Sequence, residues 1–226
     1  MLLIAKEAKW WEVVLETFEK HMARVASGLF IRGFQKVWEY SGVWLHTDWF
    51  GVPALKKPLD LWIYQEIIWE TRPQFIIEAG SYKGGSALFY ASIFDLIGEG
   101  RVITIDVQDT ASRTLSHPRI TTIVGSSVSD DIVSQVRQIV GTQTAMVSLD
   151  SDHSMHHVLR EMELYSQFVS IGDYMVVEDT GIRGLGPGKA VREFLRSRKD
   201  FVRDHKREKF MITSCRGGFL RKVQAD

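Results

Sequence analysis

A buried strand followed by a glycine turn and a helix, over residues 75–92, constrains the fold of this chain more than any other stretch. Phe75–Ile77 is a short apolar run, typical of a strand that is buried on both faces of a parallel sheet. Glu78 and Gly80 follow it, and apolar residues recur at helical spacing after a second glycine pair. Such a turn leaves backbone N–H groups free at the helix N-terminus. The stretch therefore predicts a nucleotide-type binding loop at the edge of a parallel sheet.

The spacing within this loop indicates which kind of ligand it holds. From Gly80 to Gly85 the pattern is Gly-x-x-x-Gly-Gly, which differs from the Gly-x-Gly-x-x-Gly of dinucleotide-binding loops. Glu78 lies where a pyrophosphate would pass, and its carboxylate repels phosphate but attracts a cationic, amino-acid-like ligand. The loop therefore favours S-adenosylmethionine (SAM) over NAD.

Strands and helices alternate along the chain. Beyond the helix after Gly80, the predicted helices are residues 3 to about 40, Pro58–Glu70, Asp130–Val140, His156–Phe168 and Pro187–Ser197. The predicted later strands are Arg101–Asp106, Arg119–Val124, Ala145–Asp150, Tyr174–Asp179, Phe201–His205 and Gly218–Val223. This alternation predicts an α/β fold with a doubly wound, Rossmann-like sheet, mostly parallel with a C-terminal antiparallel strand. Residues 1–57 form a helical extension in this prediction, and residues 58–226 form the main domain.

The N-terminal segment of the chain is rich in tryptophan. All seven tryptophans lie in the first 69 residues, at positions 10, 11, 38, 44, 49, 62 and 69. We expect this segment to pack on the main domain or on another subunit, which predicts a homo-oligomer. A second interpretation, compatible with the first, is that the loop from Trp44 to Leu55 covers an active site as a lid.

Composition excludes several classes of partner. The 28 basic residues balance the 28 acidic ones, so nothing indicates a nucleic-acid or acidic-membrane partner. Cys215 is the single cysteine, which excludes an internal disulfide and is consistent with the reducing cytoplasm. No run approaches the roughly 18–20 apolar residues of a membrane-spanning helix.

Polar residues lie at the carboxyl end of each of the first five predicted strands. They are Glu78, Asp106, Ser126 beside Ser127, Asp150, and Glu178 with Asp179. Ligands in open parallel sheets bind beyond these carboxyl ends. If the fourth and fifth strands are adjacent, three carboxylates (Asp150, Glu178 and Asp179) converge, and a divalent cation of the Mg²⁺ type would relieve their repulsion. The alternative is that these acids are separately solvated or paired with Arg or Lys.

Two further residues are candidates for chemistry at this edge. His153 lies three residues after Asp150 in the predicted loop, where it is a candidate general base, although a loop or helix contact is the alternative. Asp106 lies 26 positions after Gly80, close to the offset at which such folds place a ribose-binding carboxylate.

Two motifs are set aside. His46 and Asp48 have the His-x-Asp spacing of non-haem iron sites, but those sites belong to double-stranded β-helices, which the α/β alternation disfavours. The stretch from Gly186 to Lys189 resembles a phosphate loop, but that pattern requires glycine at position 183 and Ser or Thr at 190, where this chain has Arg183 and Ala190.

Several motifs together resemble the cephalosporin hydroxylase / rhamnosyl O-methyltransferase family. They are EAGSYKGGSALFYAS, VITIDV, HPRITTIVGSS, LDSDHS, YMVVEDT and GPGKAVREFL. The resemblance covers about residues 58–223. The resemblance implies a SAM-binding methyltransferase fold, a Mg²⁺-dependent reaction and a homo-oligomer. It also implies metal ligands at Asp150, Glu178 and Asp179. The implied SAM site comprises Glu78, Gly80, Ser81, Asp106, Ser126 and Ser127, with Ser86 beside them at the start of the helix.

The predicted function is therefore Mg²⁺-dependent methyl transfer from SAM to a hydroxyl of a small-molecule acceptor, a sugar or natural product, with His153 or Asp150 taking the proton. A component of an oxygenase system and a non-catalytic SAM-binding protein are the alternatives.

Overall fold

The computed structural model describes residues 17, 22, 27–182 and 184–225, and the chain divides into two compact units, Met1–Val43 and Trp44–Asp226. In the first unit, residues 27–41 form a helix (α1). The earlier part of the predicted N-terminal helix, including Trp10 and Trp11, lies outside the described residues except for positions 17 and 22, which are helical.

A seven-stranded sheet forms the centre of the second unit, in the order β5-β4-β3-β6-β7-β9-β8. Its strands are β3 (Phe75–Ala79), β4 (Arg101–Asp106), β5 (Ile120–Val124), β6 (Ala145–Leu149), β7 (Tyr174–Val177), β8 (Phe201–Arg203) and β9 (Phe219–Lys222). The first five are parallel, and β9 runs antiparallel to both of its neighbours. The predicted α/β class, with a mostly parallel sheet and an antiparallel C-terminal strand, is confirmed.

Helices cover both faces of the sheet. They are α2 (Pro58–Thr71), α3 (Gly85–Ile97), α4 (Ala111–Thr114), α5 (Asp130–Val140), α6 (Met155–Tyr165) and α7 (Pro187–Ser197). Apolar side chains of α5, α6 and α7 pack on one face, around Ile77, and those of α2 and α3 pack on the other face, around Ile76. Neighbouring strand residues therefore enter opposite cores, as the two-residue period of a strand requires. Among the described residues, no helix combines the length and apolar character that crossing a bilayer requires.

A small hairpin occupies the loop that was predicted between Trp44 and Leu55. Its strands are β1 (Asp48–Trp49) and β2 (Val52–Pro53). The Trp49 ring packs edge-on against Phe89 of α3 with centroids 4.9 Å apart, and its indole N–H donates to Ser92 Oγ at 3.1 Å. The hairpin is therefore anchored on α3, the helix that follows the glycine turn.

Two strands end earlier than their sequence pattern predicts. Strand β6 ends at Leu149 and β7 at Val177, so the acidic residues after them belong to loops. Asp179 has φ of 54°, a left-handed conformation that cannot continue an extended strand. The chain thereby leaves the sheet at Asp179, at the carboxyl edge.

Candidate active site

The loops after β6 and β7 bring three carboxylates to one edge of the sheet. The two strands are adjacent and parallel, with Leu149 opposite Val177. Asp150 follows Leu149 directly, and Glu178 and Asp179 follow Val177. The Glu178 N–H donates to the Leu149 carbonyl at 3.0 Å, so the parallel ladder continues into the loops. The adjacency on which the sequence argument depended is therefore present.

Asp150, His153 and Asp179 form a group whose side-chain atoms could bind one metal ion. One potential ligand atom from each lies within 4.8 Å of the others. His153 Nε2 lies 3.0 Å from Asp179 Oδ2 and 3.6 Å from Asp150 Oδ1. The nitrogen is buried and none of these contacts is aligned as a hydrogen bond. The imidazole nitrogen therefore makes no aligned hydrogen bond to either carboxylate. One nitrogen and two carboxylates at this spacing provide ligand atoms that can accommodate a divalent cation.

The two carboxylates also change the protonation of the imidazole. Asp150 and then Asp179 raise the pKa of His153 to about 10, against the opposing effect of burial. In this arrangement the ring is a cation at neutral pH, so it becomes a proton acceptor only when another cation shares these carboxylates.

Lys56 lies on the other side of Asp150 and was missed by the sequence reasoning. Its ammonium donates to Asp150 Oδ2 at 2.9 Å and to Glu178 Oε1 at 2.5 Å. Tyr64 of α2 donates its hydroxyl to the same Glu178 oxygen at 2.7 Å. Lys56 precedes α2 beside a second lysine, a sequence context that indicates a solvated loop, yet only 4% of the residue is exposed. No local pattern identifies this contact.

Charge and burial oppose each other in this cluster. Burial lowers the pKa of Lys56, but Asp150 and Glu178 outweigh it and the pKa lies well above its usual value. Burial likewise raises the pKa of Asp150, but the Lys56 ammonium and His153 bring it below its ordinary value. For Glu178 burial prevails and the pKa is raised. The central interaction of the cluster is therefore the ion pair between the Lys56 ammonium and the Asp150 carboxylate.

The glycine turn after β3 touches the loop that carries Asp150. Gly80 has φ of 96°, and a Cβ there would lie 2.0 Å from the Asp150 carbonyl oxygen, so only glycine allows this approach. The N–H groups of Ser81 and Tyr82 donate to Asp106 Oδ2 at 3.0 and 2.8 Å. In this structure Asp106 therefore holds the turn, and its other oxygen accepts from the Gln108 N–H.

Glu78 lies beneath this turn and is fully buried. One carboxylate oxygen accepts from the Thr104 hydroxyl at 2.6 Å, and Thr104 Oγ1 lies 2.6 Å from Ser81 Oγ. The other oxygen, Oε1, is buried with no hydrogen-bond partner among the described residues. Burial raises the pKa of Glu78, while Lys56 opposes that shift. Ser86, also buried, lies in the first turn of α3.

The two serines after β5 have different environments. Ser126 is partly exposed, whereas the hydroxyl of Ser127 is buried and donates to Glu161 Oε1 at 2.5 Å. Ser151 Oγ donates to the same oxygen at 2.6 Å, and His157 Nε2 lies 3.2 Å from Ser127 Oγ. Glu161 of α6 thus joins the loops after β5 and β6, a role that its place in an amphipathic helix did not indicate.

The two motifs set aside above have structural roles elsewhere. Asp48 accepts from the Gly51 N–H at 3.0 Å and stabilises the hairpin turn. A Cβ at Gly186 would lie 2.1 Å from the Met155 nitrogen, so that glycine allows the start of α7 to pack against the start of α6.

Comparison with known proteins gives concordant matches. The family model "Rhamnosyl O-methyltransferase/CmcI" matches residues 41–223. A rhamnosyl O-methyltransferase of Mycobacterium leprae is 38% identical over 201 residues, covering 81% of this chain and 86% of that protein. Among solved structures, apo CmcI is 25% identical with a TM-score of 0.63, covering 79% of this chain and 77% of its own. A CmcI structure with Mg and SAM has the same TM-score and coverage at 23% identity.

Proposed function

Because the chain belongs to the rhamnosyl O-methyltransferase/CmcI family, we propose that it transfers the methyl group of SAM to a hydroxyl of a sugar or natural-product acceptor, in a Mg²⁺-dependent reaction. The observation that carries the proposal is the contact between the Gly80 turn and the Asp150 loop. That contact brings a candidate SAM turn next to a candidate metal site at one edge of the sheet. The relatives are named as methyltransferases, so the oxygenase and non-catalytic alternatives are not favoured.

For the metal we propose the carboxylates of Asp150, Glu178 and Asp179. The close approach of Asp150, Asp179 and His153 supports the first and third. The Glu178 carboxylate accepts hydrogen bonds from Lys56 and Tyr64 in this structure. To become a metal ligand, it would give up its contact with the Lys56 ammonium. Bound Mg²⁺ would supply Lewis acidity that lowers the pKa of the acceptor hydroxyl and orients its oxygen.

For SAM we propose the turn that follows β3 and the strand ends beside it. SAM supplies an electrophilic methyl group on a sulfonium. The unpartnered Oε1 of Glu78 supports an ammonium or hydroxyl donor above it, next to Gly80. We propose that Asp106 contributes to SAM binding by fixing the backbone of the Gly80 turn, whose Ser81 and Tyr82 N–H groups it accepts from. The remaining proposed contacts are Ser81, Ser86, Ser126 and Ser127.

Proton transfer would fall to this chain's own side chains. When the acceptor oxygen bonds to the methyl carbon, the methyl–sulfur bond of SAM would break and S-adenosylhomocysteine would leave as a neutral thioether. The hydroxyl proton would pass to His153 Nε2 or to an Asp150 oxygen. Both atoms lie in the same cluster, 3.6 Å apart for Nε2 and Oδ1. Such general base catalysis contributes about 10²–10⁴-fold to a rate.

Substitution of Asp150 tests the proposal. Asp150→Asn should lower kcat by about 100-fold or more, because it removes a metal ligand and a proton acceptor together. The affinity for S-adenosylhomocysteine, measured by isothermal titration calorimetry, should change less than about threefold, since that ligand binds at the Gly80 turn. EDTA should abolish activity, and added Mg²⁺ should restore it.

The matched control is Asp152→Asn in the same loop. Asp152 is exposed and accepts from the Ser154 N–H, so its replacement should leave kcat nearly unchanged. Full turnover in the Asp150 variant, or activity insensitive to EDTA, would remove the metal from the mechanism.

We further propose that the chain forms a homo-oligomer through its N-terminal segment and works in the cytoplasm. Exposed apolar side chains on α1 support the first proposal; they include Leu29, Phe30 and Val37. The single cysteine, Cys215, is buried as a free thiol and supports a reducing compartment.

A further inference from the structure

A basic cavity lies beyond the acidic cluster, toward the β8 edge of the sheet. Its volume is about 280 Å³, and its lining includes Thr180, Arg192, Arg203, His205, Arg216 and Gly217. These residues come from four separate segments: the loop after β7, helix α7, the end of β8 with the turn after it, and the loop before β9. The cavity brings together three arginine side chains that are separated in the sequence.

The strand order places this cavity at the same edge as the candidate metal site. Strand β9 is antiparallel to both β7 and β8, so β7 and β8 run in the same direction. Arg203 ends β8 at the edge where Asp179 and Thr180 follow β7. Two strand spacings separate these ends, which is roughly 10 Å. The cavity adjoins the acidic cluster along the chain as well, because Thr180 of its lining directly follows Asp179.

The guanidinium charges of the cavity are not compensated by acids. Among the described residues, none of Arg192, Arg203 and Arg216 forms a salt bridge. Arg203 Nε donates to the Gly217 carbonyl and Arg216 Nη2 to the Met211 carbonyl, both at 3.3 Å, which leaves further donors on each guanidinium. The nearby carboxylate of Glu208 is occupied by His205 and by the Gly217 N–H.

Three guanidinium groups indicate the chemistry of the ligand. A single carboxylate is satisfied by one bidentate arginine, whereas a phosphate or diphosphate carries more charge and accepts several charge-assisted hydrogen bonds. We propose that this cavity binds a phosphate or diphosphate group of the methyl acceptor. The acceptor is then a sugar phosphate or a nucleotide-linked sugar, with its reacting hydroxyl at the acidic cluster. This inference rests on the proposed function for the identity of the reaction, but the anion site itself does not.

Calorimetric titration with inorganic pyrophosphate, in EDTA and without metal, tests the site independently of methyl transfer. The wild-type protein should bind pyrophosphate, and Arg192→Gln, Arg203→Gln and Arg216→Gln should each weaken binding by about tenfold. The matched control is Arg160→Gln on α6, an exposed arginine paired with Glu163, which should bind as the wild type does. No binding by the wild type, unchanged affinity in all three variants, or an equal loss in the control would overturn the site.

Kinetics identify the source of the anion. With a nucleoside diphosphate sugar as acceptor, the three variants should raise KM about tenfold or more while kcat changes little, because the lost contact is remote from the reacting atoms. With a neutral glycoside of the same sugar, KM should not respond. A neutral glycoside that is preferred by the wild type would overturn the acceptor assignment. Pyrophosphate binding without methyl transfer to any acceptor would contradict the proposed function and leave the anion site supported.

Discussion

Lys56 is the residue whose role depends most on its surroundings. A lysine in water is an ordinary surface charge, but here its ammonium lies between two carboxylates and is almost inaccessible to solvent. Removing one partner of such a buried ion pair costs about 3–5 kcal/mol, because the charge left behind has no compensation. The sequence left open whether the strand-end acids bind a metal or pair with a lysine or arginine. In this structure Asp150 and Glu178 pair with Lys56.

Lys56→Met is therefore expected to lower the free energy of unfolding by about 3 kcal/mol, measured by urea denaturation. Glu178→Gln in the same chain should recover part of this loss, because a neutral amide beside Tyr64 no longer needs the cation. The coupling between the two substitutions should exceed about 0.5 kcal/mol.

Lys206→Met is the control for loss of a lysine. Lys206 is exposed in the turn after β8, so its replacement should change stability by less than about 0.5 kcal/mol. Strictly additive effects of Lys56→Met and Glu178→Gln would show that the short contact between them does not stabilise the fold.

At the scale of an element, a buried acid, Asp173, immediately precedes β7. Asp173 is 3% exposed, and its Oδ1 has no hydrogen-bond partner among the described residues. Burial raises the pKa of this carboxyl to about 6, although the Thr71 hydroxyl and the Tyr174 N–H oppose the shift. The backbone of Asp173 accepts from the Lys222 N–H and so joins β7 to the end of β9.

The sign of the pH effect follows from this shift. In the unfolded chain the carboxyl titrates near its ordinary value of 3.8, and in the fold it titrates near 6. Between these values the native state binds more protons, so stability falls as pH rises through this window and is flat above it. Asp173→Asn should remove that slope and raise the free energy of unfolding at pH 7 by about 2–3 kcal/mol.

Urea denaturation at several pH values between about 4 and 7 measures this contribution. Glu99→Gln, in the exposed loop before β4, is the control and should leave the slope in place. A variant at Asp173 that is less stable than the wild type at pH 7 would mean that the carboxylate makes a favourable contact.

At the scale of the whole molecule, α1 presents apolar side chains at helical spacing to solvent. Leu29, Phe30 and Val37 are each exposed by about two thirds, at 66%, 69% and 66%. Apolar patches of this kind are typical of contacts between subunits. The proposed homo-oligomer would cover this surface with a second copy of the chain.

Leu29→Glu combined with Val37→Glu is therefore expected to reduce the molar mass measured by light scattering after gel filtration to that of one chain. Two charges buried at the centre of an apolar contact would destabilise it by several kcal/mol. Lys36→Glu, an exposed charge change on the same helix, should leave the mass unchanged. A wild-type protein that is monomeric at micromolar concentration would contradict the proposal.

The alternation of strands and helices, and the polar residues at the strand ends, could be predicted because both follow from local periodicity. The apolar run Phe75–Ile77 indicates a buried parallel strand, and the glycines after it indicate a turn, because both signals lie within a few neighbouring residues. The hairpin at Asp48–Pro53 was not predicted, since its strands have two residues each and are held by the packing of Trp49 on α3. Ser127 was identified by position, but not its buried bond to Glu161.

The sequence by itself determined the class of fold, the edge of the sheet where polar residues collect, and the family. Only the tertiary structure decided which charges meet there. Lys56 lies 94 residues from Asp150 and 122 from Glu178 along the chain, and the arginines of the basic cavity are similarly dispersed. Periodicity is a property of neighbouring residues, whereas burial and pairing of a charge arise only when distant segments come into contact.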